Sequence, residues 1–272
     1  MLPRLISSIL LGGVLLLTGN AGQGQTPQGA EAGQAAPQAP QQGNTQQGNV
    51  QTVPSANQQV PTQPGQPAAR AGLSVVVLDP GHGGADLGAH GLAGIPESDV
   101  VLSFARLLRI SLEAQGFRVI LTRQSNDDPT FDDRSRIVNA QRGAIFITLH
   151  VSSIGSAQTV RVYSLSKENS SPVSHSGMLD WDHAQNGFLD SSGRLASLIQ
   201  IQMALRFRGS PEIPLSAAVR QLRTVAAPAV AIEVSNVNLS EHGPLDQMGP
   251  PLADGVARAV AAFRLVYPTG GM

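Results

Sequence analysis

The sequence predicts an α/β fold: a single domain with a mostly parallel central sheet and helices on both faces, preceded by a signal peptide and a disordered linker. Three observations carry this reading. The composition changes sharply near residue 72. Beyond that point, β-branched runs of strand length alternate with segments whose apolar residues recur at helical spacing. The residues able to do chemistry gather at the ends of the strand-like runs, where open α/β sheets place their sites.

Residues 1–24 read as a signal peptide. Arg4 supplies the positive charge, Leu5 to Leu17 form an apolar stretch broken only by Ser and Gly, and small residues including Ala21 and Gly22 follow. The stretch is shorter than the roughly 20 residues of a membrane span. No Cys follows it, which excludes a lipoprotein anchor. The expectation is an exported protein of the periplasm or the extracellular cell wall, with no stable membrane anchor after signal cleavage. Residues 25–71 form a linker rich in Gln, Pro, Gly and Ala, with Glu31 and Arg70 as its only charges and no aromatic residue. It holds too little apolar surface to offset the entropy of ordering it, and is read as a disordered tether.

The folded domain is expected over residues 72–268. Ser74 to Leu78 is an apolar β-branched run ended by a glycine-rich turn. Ser98 to Gln115 places Val100, Val101, Phe104, Leu107, Leu108 and Leu112 on one helical face, and Gly116 stops the helix. Arg118 to Thr122 is the next strand, Arg134 to Gln141 a short helix, Ala144 to Leu149 a buried strand and Val160 to Tyr163 another. A helix capped by Ser191 or Ser192 carries Leu195, Leu198, Ile199, Met203 and Leu205. Ala218 to Leu222 and Ala229 to Val234 read as two further strands, and a last helix runs from about Asp254 to Leu265.

Composition narrows the chemistry. Lys+Arg 18 against Asp+Glu 19 gives a net charge of -1, which argues against a nucleic-acid partner. With Cys 0, disulfides, thiolate catalysis and cysteine-held metals are excluded, so any metal must be bound by His, Asp or Glu. The sequence Asp79-Pro80-Gly81-His82-Gly83-Gly84 directly follows the first strand, Glu97 opens the first helix, His150 ends the Ala144 to Leu149 strand, and Glu233 lies near the end of the last one. Two His and one carboxylate with a fourth position open form the ligand set of a hydrolytic zinc site, and a second carboxylate can act as its general base. Spacing alone does not decide this, because no local HExxH signature is present. A glycine-rich loop can instead cradle phosphate, although neither GKS/GKT nor GxGxxG occurs here.

The residues themselves go further. VVVLDPGHGGADLGAHG, Glu97, LTRQSNDDPTFDDRSRIVNAQRGAIFITLH and PAVAIEVSNVN closely resemble the zinc-dependent N-acetylmuramoyl-L-alanine amidases, over Val75 to Val266. That family cleaves bacterial peptidoglycan. The resemblance implies one zinc ion per chain held by His82, Glu97 and His150, with Glu233 as the catalytic residue. It also implies peptidoglycan as substrate and an activator protein as a partner, since some members carry an element that blocks the site until an activator moves it. Three departures stand out: Val138 replaces Ala in the family's R-x-x-x-A-N, Val-Ser-Ser follows His150 where Ala-Asn is common, and Val-Ser follows Glu233 where Gly-Phe is usual. The last two remove neither a ligand nor a proton-transfer group; they concern the substrate contacts near the metal. An inactive peptidoglycan-binding module and another secreted zinc hydrolase, a peptidase or deacetylase, are the competing functions.

Other polar residues have plainer readings. Asp79 either orients a zinc histidine or caps a tight turn, and Asp86 braces the same loop. His90, His175, His183 and His242 are read as solvent-facing loop residues, and Arg123, Arg134 and Arg136 as loop-holding salt-bridge partners. The segment Ser164 to Asp190 holds the only Trp, Trp181. Because it follows the His150 strand and its neighbour, it is expected as a rim or lid near the metal end of the sheet. Trp181 then stacks on substrate, plugs the cleft, or anchors the loop to the core.

Overall fold

The computed structural model describes residues 72–89, 95–152, 155–166, 181–235 and 242–267. The signal peptide (1–24), the linker (25–71), His90, His175 and part of the 164–190 segment lie outside these residues.

Six strands form one sheet: β1 (Val75–Pro80), β2 (Arg118–Leu121), β3 (Ala144–Ser152), β4 (Thr159–Leu165), β5 (Leu215–Ala217) and β6 (Ala229–Ser235), in the order β2-β1-β3-β6-β4-β5. The pairs β1–β2, β1–β3 and β3–β6 are parallel, as is β4–β5, whereas β4 runs antiparallel to β6. The helices are α1 (Glu97–Ala114), α2 (Phe131–Asn139), α3 (Leu189–Arg206), α4 (Arg220–Arg223) and α5 (His242–Val266), with a 3-10 helix over Trp181–Phe188. Among the described residues, no helix is long and apolar enough to cross a membrane.

Side chains alternate across a strand, so each strand has two faces to bury. Ile145, Ile147, Leu149 and Val151 of β3 pack with residues of α1, α3 and α5 in the larger core. Ala144 and Phe146 pack on the opposite face with Val138 of α2 and Leu222 of α4. The same alternation puts Thr148, His150, Glu233, Arg161 and Tyr163 on the α2/α4 face, toward the carboxyl ends of β3 and β6.

Three expectations are corrected. Ala218 to Leu222 is not a strand: the edge strand is Leu215–Ala217, and the chain then turns into α4. Leu222 is buried as a helical residue, and the Arg220 guanidinium lies 4.7 Å from the Phe131 ring. The last helix begins at His242 rather than near Asp254, because Leu245, Met248, Leu252, Val256, Val260 and Phe263 form one buried stripe that carries it through Pro250 and Pro251. That burial outweighs the backbone bonds the prolines forfeit. Finally, antiparallel β4 leads the chain away from the metal end of the sheet, so the segment after Ser164 departs from the opposite end. The 3-10 helix at its far end is tied by Asp182 to Arg223 of α4 at 3.1 Å. Trp181 is 53% exposed there, so it is not a core anchor.

Smaller shifts have local causes. Helix α2 starts at Phe131 rather than Arg134 because Thr130 and Asp133 form a reciprocal capping box.

Candidate metal centre

The β1–α1 loop begins at Asp79, whose carboxylate is buried and fully engaged. It accepts from Thr122 Oγ1 at 2.6 Å, Arg134 Nη1 at 2.6 Å and Thr148 Oγ1 at 2.8 Å. Two buried guanidiniums then fix the loop's carbonyls. Arg123 donates to the carbonyls of Pro80 (2.9 Å), Gly81 (2.9 Å) and Ser98 (2.7 Å), and Arg134 to those of Pro80 (3.0 Å) and His82 (3.0 Å). Of the three arginines expected in loop-holding salt bridges, Arg134 pairs with Asp79 and exposed Arg136 with Asp133, while Arg123 works through backbone carbonyls instead.

This clamp holds His82 at φ 60°, a left-handed conformation that is costly outside glycine. The outcome is a defined ring position. His82 Nδ1 meets Asp86 Oδ2 at 2.8 Å, leaving Nε2 to point at Glu97 Oε1, 3.2 Å away. Asp86 therefore does more than brace its loop: it orients the imidazole.

Glu97, the first residue of α1, reaches over the end of the sheet. Its carboxylate accepts from the backbone N–H of Ala89 at 2.9 Å and of Val151 at 2.9 Å, and meets His150 Nδ1 at 3.1 Å. His82, Glu97 and His150, distant in sequence, thus present ligand atoms within 4.8 Å of one another. The rings of His82 and His150 are edge-to-face, 5.3 Å between centroids. The space is shaped by glycines: a Cβ on Gly81 would lie 2.6 Å from the His150 ring, and one on Gly88, at φ 68°, 2.7 Å from the Glu97 carboxylate.

His150 Nε2 lies 3.3 Å from Thr148 Oγ1. Since that hydroxyl donates to Asp79, Asp79 acts on the histidine through Thr148 rather than directly, and its turn-capping reading is superseded. Gln221 Nε2 of α4 lies 3.5 Å from the same ring nitrogen. A cleft of about 300 Å³ opens beside His82, with Asp86, Thr130, Phe131 and Gln221 among its walls.

The electrostatics follow from this packing. Burial alone would lower the His82 pKa, but the Glu97 carboxylate, then Asp86, outweigh it and raise it to about 9. For Glu97, burial favours the neutral acid, yet His150 and His82 outweigh it and hold the group well below the usual carboxylate range. Two imidazoles and one carboxylate are the donor set of a catalytic zinc site, and three protein ligands leave a position for substrate or water. Because a histidine binds metal in its deprotonated form, a cation held here would compete with the proton on His82.

Glu233 stands beside the cluster but outside it. It is the register partner of His150 on β6, 26% exposed, with Arg161 Nη1 3.7 Å from its Oε1. Its pKa is raised, first by burial and further by the Glu97 charge, against the opposing pull of Arg161, His150 and Tyr163. His183 sits on the 3-10 helix, 3.9 Å from Asp182 and outside the cluster, and the His242 side chain lies outside the described residues.

Sequence reasoning missed Thr148, Arg161, Tyr163 and Gln221. Thr148 was within reach, since period two puts it on the same face as His150. The others arrive by strand pairing and by a helix read as a strand, which no local pattern encodes.

Residues 76–243 match the N-acetylmuramoyl-L-alanine amidase family. Among curated relatives, the N-acetylmuramoyl-L-alanine amidase AmiC of Neisseria meningitidis is 40% identical over 95 residues, 34% of this chain and 22% of that protein. The chain thus spans about a quarter of the length of the curated relatives it first matches, 22% and 24%. The N-acetylmuramoyl-L-alanine amidase of Clostridium difficile 630 has the same fold, with TM-score 0.56 and 20% identity over 71% of this chain and 97% of that one. So does the CwlD amidase of Clostridioides difficile, solved in complex with the GerS lipoprotein, with TM-score 0.53 and 18% identity over 70% of this chain and 99% of that one. The matched span covers the β1 loop, Glu97, the β3 histidine and Glu233, and by that match the chain belongs to the N-acetylmuramoyl-L-alanine amidase family.

Proposed function

We propose that this chain is a zinc-dependent amidase that hydrolyses the bond between N-acetylmuramic acid and L-alanine in peptidoglycan, during wall remodelling or daughter-cell separation. The observation that carries this reading is the placement of Glu233 directly across from His150, next to a three-ligand cluster but not part of it. One zinc ion per chain, held by His82, Glu97 and His150, supplies Lewis-acid activation of the carbonyl and of water.

The chain's own residues do the rest. Glu233, ionised, accepts a proton from the attacking water and delivers it to the departing L-alanine nitrogen, so that one carboxylate serves as base and then acid. Burial raises its pKa above the ordinary carboxylate value, the direction that makes it a stronger proton acceptor. Asp86 and Thr148 keep the two imidazoles oriented.

The catalytic unit on this reading is residues 72–268, exported behind the signal peptide 1–24 and tethered by 25–71, and acting in the periplasm or the outer cell wall. An activator protein is a further proposed partner, and the solved CwlD–GerS complex is the precedent for an amidase of this fold held by a second protein.

Purified sacculi test the reading. Incubation with zinc-loaded protein is expected to release free muramic acid lactyl groups and N-terminal L-alanine in equal amounts. New glucosamine amines would make it a deacetylase, new peptide ends elsewhere a peptidase, and retention on sacculi without product a binding module.

A further inference from the structure

Across three neighbouring strands, His150, Glu233 and Arg161 occupy one row. His150 pairs with Glu233 between β3 and β6, and Glu233 with Arg161 between β6 and β4. All three side chains project from the α2/α4 face, so the row reads metal ligand, carboxylate, guanidinium.

The guanidinium is mounted rather than loose. Its Nη1 donates to Ser235 Oγ at 2.6 Å, and Gly155, at φ 102°, passes so close that a Cβ there would lie 2.9 Å from Nη1. Ser235 belongs to the Val-Ser that departs from the family's usual Gly-Phe after Glu233, so this departure has a structural use: it supplies the acceptor that holds Arg161. The contact to Glu233, at 3.7 Å, is beyond hydrogen-bond length. Among the described residues, no acceptor meets the other N–H groups of the fork, and the side chain is 27% exposed. A fixed fork with unspent donors, facing the site, matches a planar carboxylate.

We propose that Arg161 is a specificity-determining residue that receives a free carboxylate on the peptide arm of the substrate, one residue beyond the scissile amide. The proposal rests on the amidase reading above. The reach agrees: consecutive α-carbons are about 3.8 Å apart, which puts a carboxylate on the second residue roughly 7 Å from the scissile carbonyl. Two strand spacings, each about 4.8 Å, separate the backbones of β3 and β4, and the Arg161 side chain covers part of that span.

The test uses two synthetic muramyl dipeptides that differ only at the second residue, one bearing a free α-carboxylate and the other the carboxamide. The zinc-loaded full chain is expected to favour the carboxylate in kcat/KM by about tenfold or more, the range of a charge-assisted hydrogen bond. In Arg161→Gln that ratio falls to near one, in Arg161→Lys part of it survives, and Ser235→Ala, which frees the fork, lowers it less than Arg161→Gln. Melting temperatures identify any variant that fails to fold, and Ser235→Ala then carries the test. A wild-type ratio near one, or a ratio unchanged in Arg161→Gln and Ser235→Ala, overturns the proposal while leaving the amidase reading intact. Cleavage of neither compound together with no amidase ends from sacculi overturns that reading itself.

Discussion

Glu97 Oε1 lies 3.2 Å from His82 Nε2 and 3.1 Å from His150 Nδ1, so one oxygen at the start of α1 joins two histidines carried on different strands' ends. The backbone N–H of Val151 holds that oxygen from β3 itself, which ties the helix terminus to the strand bearing the third member of the cluster.

Asp86 is exposed, and its bond to His82 Nδ1 contributes orientation rather than folding energy. Asp86→Asn is expected to weaken zinc affinity by about 10- to 100-fold with little change in melting temperature. Chelator competition measures this. In the wild type, affinity should climb with pH until about 9, because the proton held on His82 must leave.

On the proposed reading, Glu233 sets the acid limb of the pH profile. Its pKa is raised above the ordinary 4.5, so the ionised base is lost as pH falls through that higher value, and kcat/KM should decline on a limb above 4.5. Arg161 pulls the pKa down; Arg161→Gln removes that cation and should move the limb to still higher pH. A limb that stays put in the variant would assign it to another group.

Arg134 and Asp79 form a buried ion pair at 2.6 Å beneath the His82 loop. Arg134→Met leaves the Asp79 charge buried without its counter-ion and should cost about 3–5 kcal/mol. Arg134→Lys restores the charge but cannot serve Pro129, Asp79, Pro80 and His82 with one planar fork, so it should recover stability only in part. Denaturant unfolding of the three proteins checks the order.

The fold class was legible because buried strands such as Ala144–Ser152 and the stripe of α1 are written in local periodicity. Three cluster residues were legible too, since a resemblance in motif fixes residue identity. What escaped depends on partners remote in sequence. The reversed direction of β4 follows from its pairing with β6, and α4 from Leu222 burying as a helical residue. The proline pair in α5 read locally as a stop, and only the buried stripe around it says otherwise.

Residues 72–268 should fold without the preceding 71. Expressed alone, they are expected to show a cooperative thermal transition whose midpoint falls on chelation, because a ligand bound only by the native state stabilises it. An unfolded fragment would show that the boundary is misplaced.

The central claim separates the roles of two carboxylates, and zinc content measured beside turnover in Glu233→Gln and Glu97→Gln tests it most directly. The account predicts that Glu233→Gln keeps about one zinc per chain while turnover falls at least about 100-fold, and that Glu97→Gln, like His82→Ala and His150→Ala, loses the metal. Loss of zinc in Glu233→Gln with retention in Glu97→Gln would contradict it and exchange the two roles.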